Sequence, residues 1–585
     1  MSTRFPPLGD LASIGDRRTA ALIDREATVC WFSPHRIDHP SLFNALLDPG
    51  RGAWRVSLPG STPRSRRYIG ASAVLETRLA LCDAELVVTD WLTMGRSARP
   101  GLFCRTFSRA PGDVTILLDA WPGNGRHRGL PVLVDGVAVF EDGLHLFASQ
   151  PLKVDDRGVH WTLPRGQAGW TVLADGACDR PRAEDLDAWK TATIERWEEL
   201  GAKTTYDGPY RAEVAASLRQ LRLLVYEPTG AIAAAITAGL PEVLGGRRNY
   251  DYRYSWLRDT GMVVRALLKT ASAGAEGEAF LSFIALAREH ASRPPLDVVV
   301  AVDGRPVPEE SSPPLVGYEH SHPVRIGNRA GKQRQLGSYG NLLLAADQVY
   351  RKRAARPHWD TVERAADFLV AHWREPDSGL WESPKKRQYT ASKVFAACGL
   401  ETIAPFADRS RREVYRQTAK AIRGYVMRHC LTREGAFAAF AGCQGVDISA
   451  ALFPVWSFCA LDSPEMNATL HVLHRDYERG GLFKREDETP QSALEGAFLP
   501  GTFWIAQYWA ARGDAALACR YIEAGLAHAN DLGLFPEEVD WQTGRALGNL
   551  PLGMAHASFL NAVADLAAMG ARTAAREKVA AGDHD

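Results

Sequence analysis

Three stretches of the chain crowd carboxylates together with aromatic residues and glycines. Residues 245–259 read GGRRNYDYRYSWLRD, residues 377–393 read DSGLWESPKKRQYTASK and residues 533–557 read GLFPEEVDWQTGRALGNLPLGMAHA. In the first, Trp256, Arg258 and Asp259 stand where a helical pattern begins, close behind Tyr252. Aromatic faces stack on the apolar CH faces of sugars, and an Arg beside an Asp offers a donor fork and an acceptor pair to neighbouring hydroxyls. In the second, Glu382 follows Trp381. A carboxyl against an indole face is desolvated, which raises its pKa toward that of a proton donor. In the third, Glu537 and Glu538 follow Pro536, in a loop where one of them stays ionised and activates water. The chemistry predicted is acid–base work on a carbohydrate. Taken singly, each stretch also fits surface acids beside aromatic core residues.

Other motifs do not carry chemistry. GNRAGK, residues 327–332, has three residues between its glycines instead of the four of a P-loop, and Gln333 stands where Ser or Thr belongs. His320 and His322 have no Cys or further His at a zinc-like spacing. No GxSxG elbow occurs. No metal and no organic cofactor is predicted.

The elements that must position these residues change type near residue 180. Before it, short Val-, Leu- and aromatic-rich runs at residues 73–80, 86–92, 113–120, 131–140 and 170–174 are separated by Gly, Pro and Asp turns, the pattern of an antiparallel sandwich. The basic cluster Arg64, Arg66 and Arg67 reads as a solvated turn leading into a strand. Residues 182–200 switch to helical spacing, with Leu186, Trp189, Ile194 and Trp197 on one face and Gly201 as a stop. Beyond residue 210 twelve helical segments begin near Tyr210, Trp256, Glu276, Tyr339, Trp359, Thr390, Arg411, Ser449, Pro464, Thr502, Ala515 and Leu552. A dozen helices fit six pairs closed into a double ring; an open solenoid of the same pairs has the same periodicity. The Pro- and Gly-dense stretch 293–334 is too long for a plain connector and is a candidate functional loop.

Composition bounds the partners. The 585 residues include 69 basic and 69 acidic side chains, so the formal net charge is zero and no global field attracts nucleic acid or anionic lipid. With 46% hydrophobic and 24% charged residues and a mean hydropathy of −0.21, the chain is expected to fold into at least two globular units. Nine cysteines without a CxxC pair suggest a reducing compartment. No signal-peptide core and no run of roughly 20 apolar residues is present, so a cytoplasmic location without membrane contact is expected. Oligomeric state is not legible.

Taken together the motifs resemble those of glycoside hydrolase family 15, the glucoamylase-like and trehalase-like α-glucosidases. The similarity begins with IGDRRTAALIDREATVCWFSPHRIDHPSLFNALLD (residues 14–48). It continues through GGRRNYDYRYSWLRD, PVRIGN (323–328), GLWE, LEGAFLPGTFW (494–504) and FPEEVDWQTGRALGNLPLGMAH. The resemblance implies an N-terminal β-sandwich followed by an (α/α)6 barrel. The implied layout is a sandwich over residues 1–180, a linker helix over 181–205, a catalytic barrel over 206–575 and a tail over 576–585. It implies Glu382 as general acid and Glu537 as general base. Arg258 and Asp259 would hold sugar hydroxyls, with Trp256, Tyr252, Trp381 and Glu538 lining the pocket and Lys484 or Arg485 supplying a basic residue.

The implied activity is an inverting, exo-acting hydrolysis of a small α-glucoside, either trehalose or a short α-gluco-oligosaccharide. The departure is QLGSYGN at residues 335–341, where relatives commonly read QLDVYGE. Gly337 and Asn341 replace two acids in a loop expected near the pocket. That departure motivates a second reading, a carbohydrate-binding or regulatory protein on a degenerate hydrolase scaffold.

Overall fold

A computed structural model describes residues 4–95, 99–272, 274–353, 355–486 and 494–582. Of the tail expected from residue 576, residues 583–585 lie outside the described ones. Among the described residues the N-terminal part forms two antiparallel sheets packed face to face. One has seven strands, from Ala12–Gly15 to Lys153–Asp155; the other has eight, from Val132–Val134 to Thr62–Tyr68. Alternation along each strand sends one side inward, as in Leu75–Leu81, where Leu75, Thr77 and Leu79 are buried. Trp54, Phe103, Phe107 and Trp161 fill the space between the sheets with edge-to-face contacts.

Two local expectations are corrected. Residues 131–140 are not one strand but a hairpin, Val132–Val134 against Val137–Val139. Asp135 and Gly136 take positive φ values of 50° and 75°, which is the two-residue turn that an Asp-Gly pair favours. The cluster Arg64, Arg66 and Arg67 is not a turn but part of the strand Thr62–Tyr68. Arg66 points off that strand into an ion pair with Asp531 of the helical part.

Helix α1 (Ala183–Gly201) crosses from the sandwich to the helical part. Leu186, Trp189 and Ile194 pack on the outer face of the eight-stranded sheet, while Trp197 and Leu200 join the helical core. The helices that follow are α2 (Arg211–Leu224), α3 (Leu257–Thr270), α4 (Gly274–Glu289), α5 (Leu336–Arg351), α6 (Trp359–His372) and α7 (Thr390–Ile403). They continue with α8 (Arg409–His429), α9 (Pro464–Val472), α10 (Leu499–Arg512), α11 (Ala515–Leu526) and α12 (Gly553–Gly582). Eleven of the twelve predicted segments are α-helical. The one near Ser449 is a short 3-10 turn, Ile448–Leu452, because Pro454 has no N–H to continue a helix and clashes with the carbonyl four residues back.

The ring closes. α3 packs on α5, α5 on α7, α10 on the 3-10 turn and on α12, and α12 returns to α3; Phe395 of α7 meets Phe453 just beyond the 3-10 turn. Inner helices such as α5 and α7 are buried nearly all round, whereas an outer helix such as α8 buries only the stripe Tyr415, Ala419, Ile422 and Val426. Gly340 lets α5 and α7 touch backbone to backbone, since a Cβ there would lie 2.3 Å from the carbonyl of Phe395. The architecture is a β-sandwich followed by an (α/α)6 barrel, as the sequence implied. Because inner and outer elements alternate along the chain, all the inner ones run in the same direction. Their N-terminal ends, and the loops that precede them, gather at one mouth of the barrel.

Candidate active site

The three carboxylate-bearing motifs singled out from the sequence, and LEGAF, fall in those loops. GGRRNYDYRYSWLRD ends in the first turn of α3, where Ser255–Trp256 pairs with Val299–Val300 before the helix starts. Asp259 lies in that first turn, the end of a helix that favours negative charge. GLWE precedes α7, LEGAF precedes α10 and FPEEVD precedes α12. The loops ahead of α3 and α7, with Arg485, wall a cavity of about 280 Å³ whose lining includes Tyr252, Trp256, Arg258, Asp259, Trp381 and Glu382. The Pro- and Gly-rich stretch 293–334 supplies Glu310, Arg325, Asn328 and Gln333 to the same wall. A wider groove of about 700 Å³ lies on the outside of the barrel, but its charges pair among themselves, as in Arg411–Asp408 at 3.2 Å.

Glu382 is the hub of one side. Its Oε1 accepts from Trp256 Nε1 at 3.1 Å and from Arg258 Nη1 at 3.0 Å, and its backbone carbonyl accepts from Gln333 Nε2 at 3.0 Å. Glu382 holds a φ of +54°, a left-handed conformation that costs a non-glycine residue energy and recurs at functional sites. Burial raises its carboxyl above the ordinary value, Arg258 pulls it back and Asp259 pushes it up again; 31% of the side chain still opens to the cavity. Arg258 is held in turn by Asp259, through Nε to Oδ1 at 2.5 Å, and by the carbonyl of Leu380. Trp381 donates Nε1 to Asp447 Oδ2 at 2.5 Å, stacks on Trp504 and has the guanidinium groups of Arg258 and Arg485 within 5.5 Å of its ring centre.

Glu537 and Glu538 separate by the period of a strand. Glu538–Val539 pairs with Ala497–Phe498 and with Ala546–Leu547, and successive side chains there point to opposite sides. Glu537 turns toward Tyr252, whose hydroxyl donates to Oε1 at 2.8 Å, while the Asn549 N–H donates to Oε2 at 3.3 Å. Position 548 must be glycine, because a Cβ there would lie 2.6 Å from Glu537 Oε2, and its φ is +74°. Glu537 is 2% exposed and stands behind Tyr252 rather than on the cavity wall. The two glutamates are therefore bridged by adjoining rings: Trp256 holds Glu382, Tyr252 holds Glu537, and the two rings meet edge to face at 5.6 Å.

Glu538 turns the other way. Its Oε2 accepts from the Gly496 N–H at 3.0 Å, and its Oε1 lies 3.9 Å from Arg485. Arg485 Nη2 binds Glu242 at 2.7 Å and Glu495 at 2.8 Å, and Arg248 also bonds Glu495. Of the two basic residues left open by the sequence, Arg485 lines the cavity, whereas Lys484 places Nζ over the ring of Tyr477 at 4.5 Å. The carboxylates of Glu242, Glu495 and Glu538 lie within 4.8 Å of one another, with an arginine already between them. Sequence reading missed Glu242 in GLPEVLGG, as well as Asp447. Glu495 within LEGAF and Asn549 within the stretch 533–557 were in view without a role.

The expected QLGSYGN loop is instead helical. Leu336 begins α5, Gly337 packs against Ser392, and Asn341 bonds its own helix at Gly337 O. The substitutions fall in the inner ring beyond Gln333, where the cavity wall ends.

Burial, followed by repulsion from Glu242, pushes Glu537 up to about 8, against the pull of Arg485 and Tyr252. Removing the Glu242 charge lowers the affinity of Glu537 for its proton. Glu242→Gln is therefore expected to move the ascending limb of the kcat/KM–pH profile to lower pH. An unmoved limb in that profile would separate Glu537 from the titration that controls activity.

The description of glycosyl hydrolases family 15 matches residues 208–512, and that of the trehalase-like N-terminal domain matches residues 2–175. The chain belongs to glycoside hydrolase family 15. It is a glycoside hydrolase. Among relatives of this family, the trehalase of Mycobacterium tuberculosis is 30% identical over 96% of this chain and 89% of its own. The trehalase of Thermoplasma acidophilum is 31% identical over 92% and 96%. A bacterial glucoamylase solved with acarbose superposes with a TM-score of 0.73 over 97% of both chains at 13% identity, which speaks to the fold of the family 15 enzyme. No helix among the described residues is long and apolar enough to cross a membrane.

Proposed function

We propose that this glycoside hydrolase is an inverting, exo-acting α-glucosidase whose preferred substrate is α,α-trehalose, with short α-gluco-oligosaccharides as secondary substrates. The observation that carries the reading is one cavity of about 280 Å³, just below the roughly 300–1,000 Å³ typical of ligand pockets. In it a desolvated Glu382 faces the site and Glu537 is tied to the same wall through Tyr252. The trehalase relatives, which align over nine-tenths or more of this chain, support trehalose.

In this reading Glu382 donates its proton to the glycosidic oxygen as the C1–O bond breaks, and Glu537 takes a proton from the water that attacks C1 from the opposite face. A carboxylate has about four acceptor directions. Tyr252 and Asn549 occupy two on Glu537, which leaves acceptor capacity for that water. Arg258 and Asp259, fixed at the N-terminus of α3, bind the hydroxyls of the sugar being cleaved, and Trp256 and Trp381 offer it ring surfaces. The QLGSYGN substitutions that motivated a non-catalytic reading lie inside an inner helix, away from that sugar.

Glucose release from trehalose, maltose, isomaltose and soluble starch tests the substrate, with trehalose expected to give the highest kcat/KM. Stereochemistry tests the mechanism. Inversion at one C1 of trehalose releases β-glucose, while the other glucose leaves with its α configuration intact. The first NMR spectra should therefore show the two anomers in equal amounts before mutarotation. A spectrum of α-glucose alone would mean a covalent glycosyl-enzyme route and would refute the inverting assignment.

A further inference from the structure

Six residues ahead of Glu537 the barrel sends a turn into the sandwich. Leu532 and Leu534 are buried among the residues that form the core between the two sheets. Asn530 shapes the turn by accepting from the N–H groups of Leu532 and Leu534, both at 3.0 Å, and reaches across to donate to the carbonyl of Leu11 at 2.7 Å. Asp531 receives a two-pronged ion pair from Arg66, Nε to Oδ2 at 3.1 Å and Nη2 to Oδ1 at 2.5 Å. The Arg66 side chain is 1% exposed and rises from the edge strand of the eight-stranded sheet. That bidentate geometry, with the guanidinium buried and the carboxylate partly open, is the stronger of the two; the second pair on Asp531, from Arg25, is open on both sides.

Between this turn and Glu537 little of the chain is free to yield. The Phe535 N–H donates to His556 Nε2 at 3.3 Å, its carbonyl accepts from the Leu552 N–H at 3.0 Å, and the Glu537 carbonyl accepts from the Leu499 N–H at 3.2 Å. A displacement imposed at Asp531 is carried along a bonded segment rather than absorbed by a slack loop.

We propose that this turn is a latch through which the sandwich positions Glu537, with Arg66 and Asp531 as positioning residues for hydrolysis. The proposal rests on Glu537 being the general base. It gives the sandwich a part in catalysis beyond covering the barrel, and it gives a role to the basic cluster of the strand Thr62–Tyr68. Reacting groups tolerate little misplacement, since about 1 Å can cost roughly 100-fold in rate.

The full-length enzyme is the test object, assayed with trehalose or the best substrate found. Arg66→Ala and Asp531→Asn are expected to lower kcat about 10- to 100-fold with KM changed less than about threefold, and Arg66→Lys to recover part of the loss. Asp90→Asn is the control. It weakens the buried Arg105–Asp90 pair inside the sandwich and should lower Tm while leaving kcat near wild type. If Arg66→Ala yields no folded protein, Asp531→Asn carries the test with the same outcomes. Wild-type kcat in folded Arg66→Ala or Asp531→Asn overturns the latch, as does a fall in kcat that Asp90→Asn reproduces at equal loss of Tm. Glu537→Gln, assayed in parallel, judges the base separately: full activity there refutes the assignment of Glu537 whatever the latch variants do.

Discussion

Glu382→Gln is expected to lower kcat on trehalose by about a thousandfold, about 4 kcal/mol of transition-state stabilisation, within the range assigned to a positioned proton donor. The amide keeps an oxygen that accepts from Trp256 and Arg258, the two groups that hold Glu382 Oε1, so Tm should stay close to wild type. What the amide lacks is a proton acidic enough to pass to the leaving oxygen. A substrate whose leaving group departs without protonation, such as α-glucosyl fluoride, should therefore restore most of the rate. Near-wild-type turnover on trehalose would remove Glu382 from the acid role. Loss of activity on both substrates would make it a structural residue instead.

Arg485→Met should produce the largest loss of stability. The methionine retains bulk against Trp381 and Phe498, but it leaves Glu242, Glu495 and Glu538 within 4.8 Å of one another without the guanidinium that joins them. Stripping one partner from a buried ionic set costs about 3–5 kcal/mol, because the remaining charges cannot regain water. Arg485 also pulls Glu537 down toward the ordinary carboxylate range. Its loss should therefore move the ascending limb of the kcat/KM–pH profile to higher pH, opposite to the shift expected for Glu242→Gln. A thermal melt and a pH profile decide it; a variant matching wild type in both would show that the cluster neither stabilises the barrel nor tunes Glu537.

The local order of residues determined a great deal. The change from short, turn-punctuated runs to helical spacing near residue 180 is written in nearest-neighbour preferences, and so the two-part architecture was legible. Arg258 with Asp259 at a helix start was legible for the same reason, since it is a contact between sequence neighbours; Glu382 was legible as a position, but the indole that holds its carboxyl is Trp256, 126 residues away, and not its neighbour Trp381. The Asp135–Gly136 hairpin was legible in principle as well and was missed only because the apolar run on both sides masked it. Pro454 likewise stood in the sequence, but the helical spacing from Ser449 was read through it.

What tertiary structure alone decided are the choices that depend on direction and on distant partners. PEE at residues 536–538 offers two adjacent glutamates, and only the strand pairing of Glu538–Val539 sends one toward Tyr252 and the other toward Arg485. Lys484 and Arg485 are equivalent in sequence, yet one lies over Tyr477 and the other enters the cavity. Glu242, Asp447 and Asn549 gave no local signal, because each acts on a residue 12 to 243 positions away. Arg66 looked solvated because its partner, Asp531, lies 465 residues away. Desolvation, which sets the protonation of Glu382 and Glu537, is a property of the closed ring rather than of any segment. Neighbours along the chain dictate which element forms, but the field at a carboxyl is set by whatever the fold brings within a few ångströms.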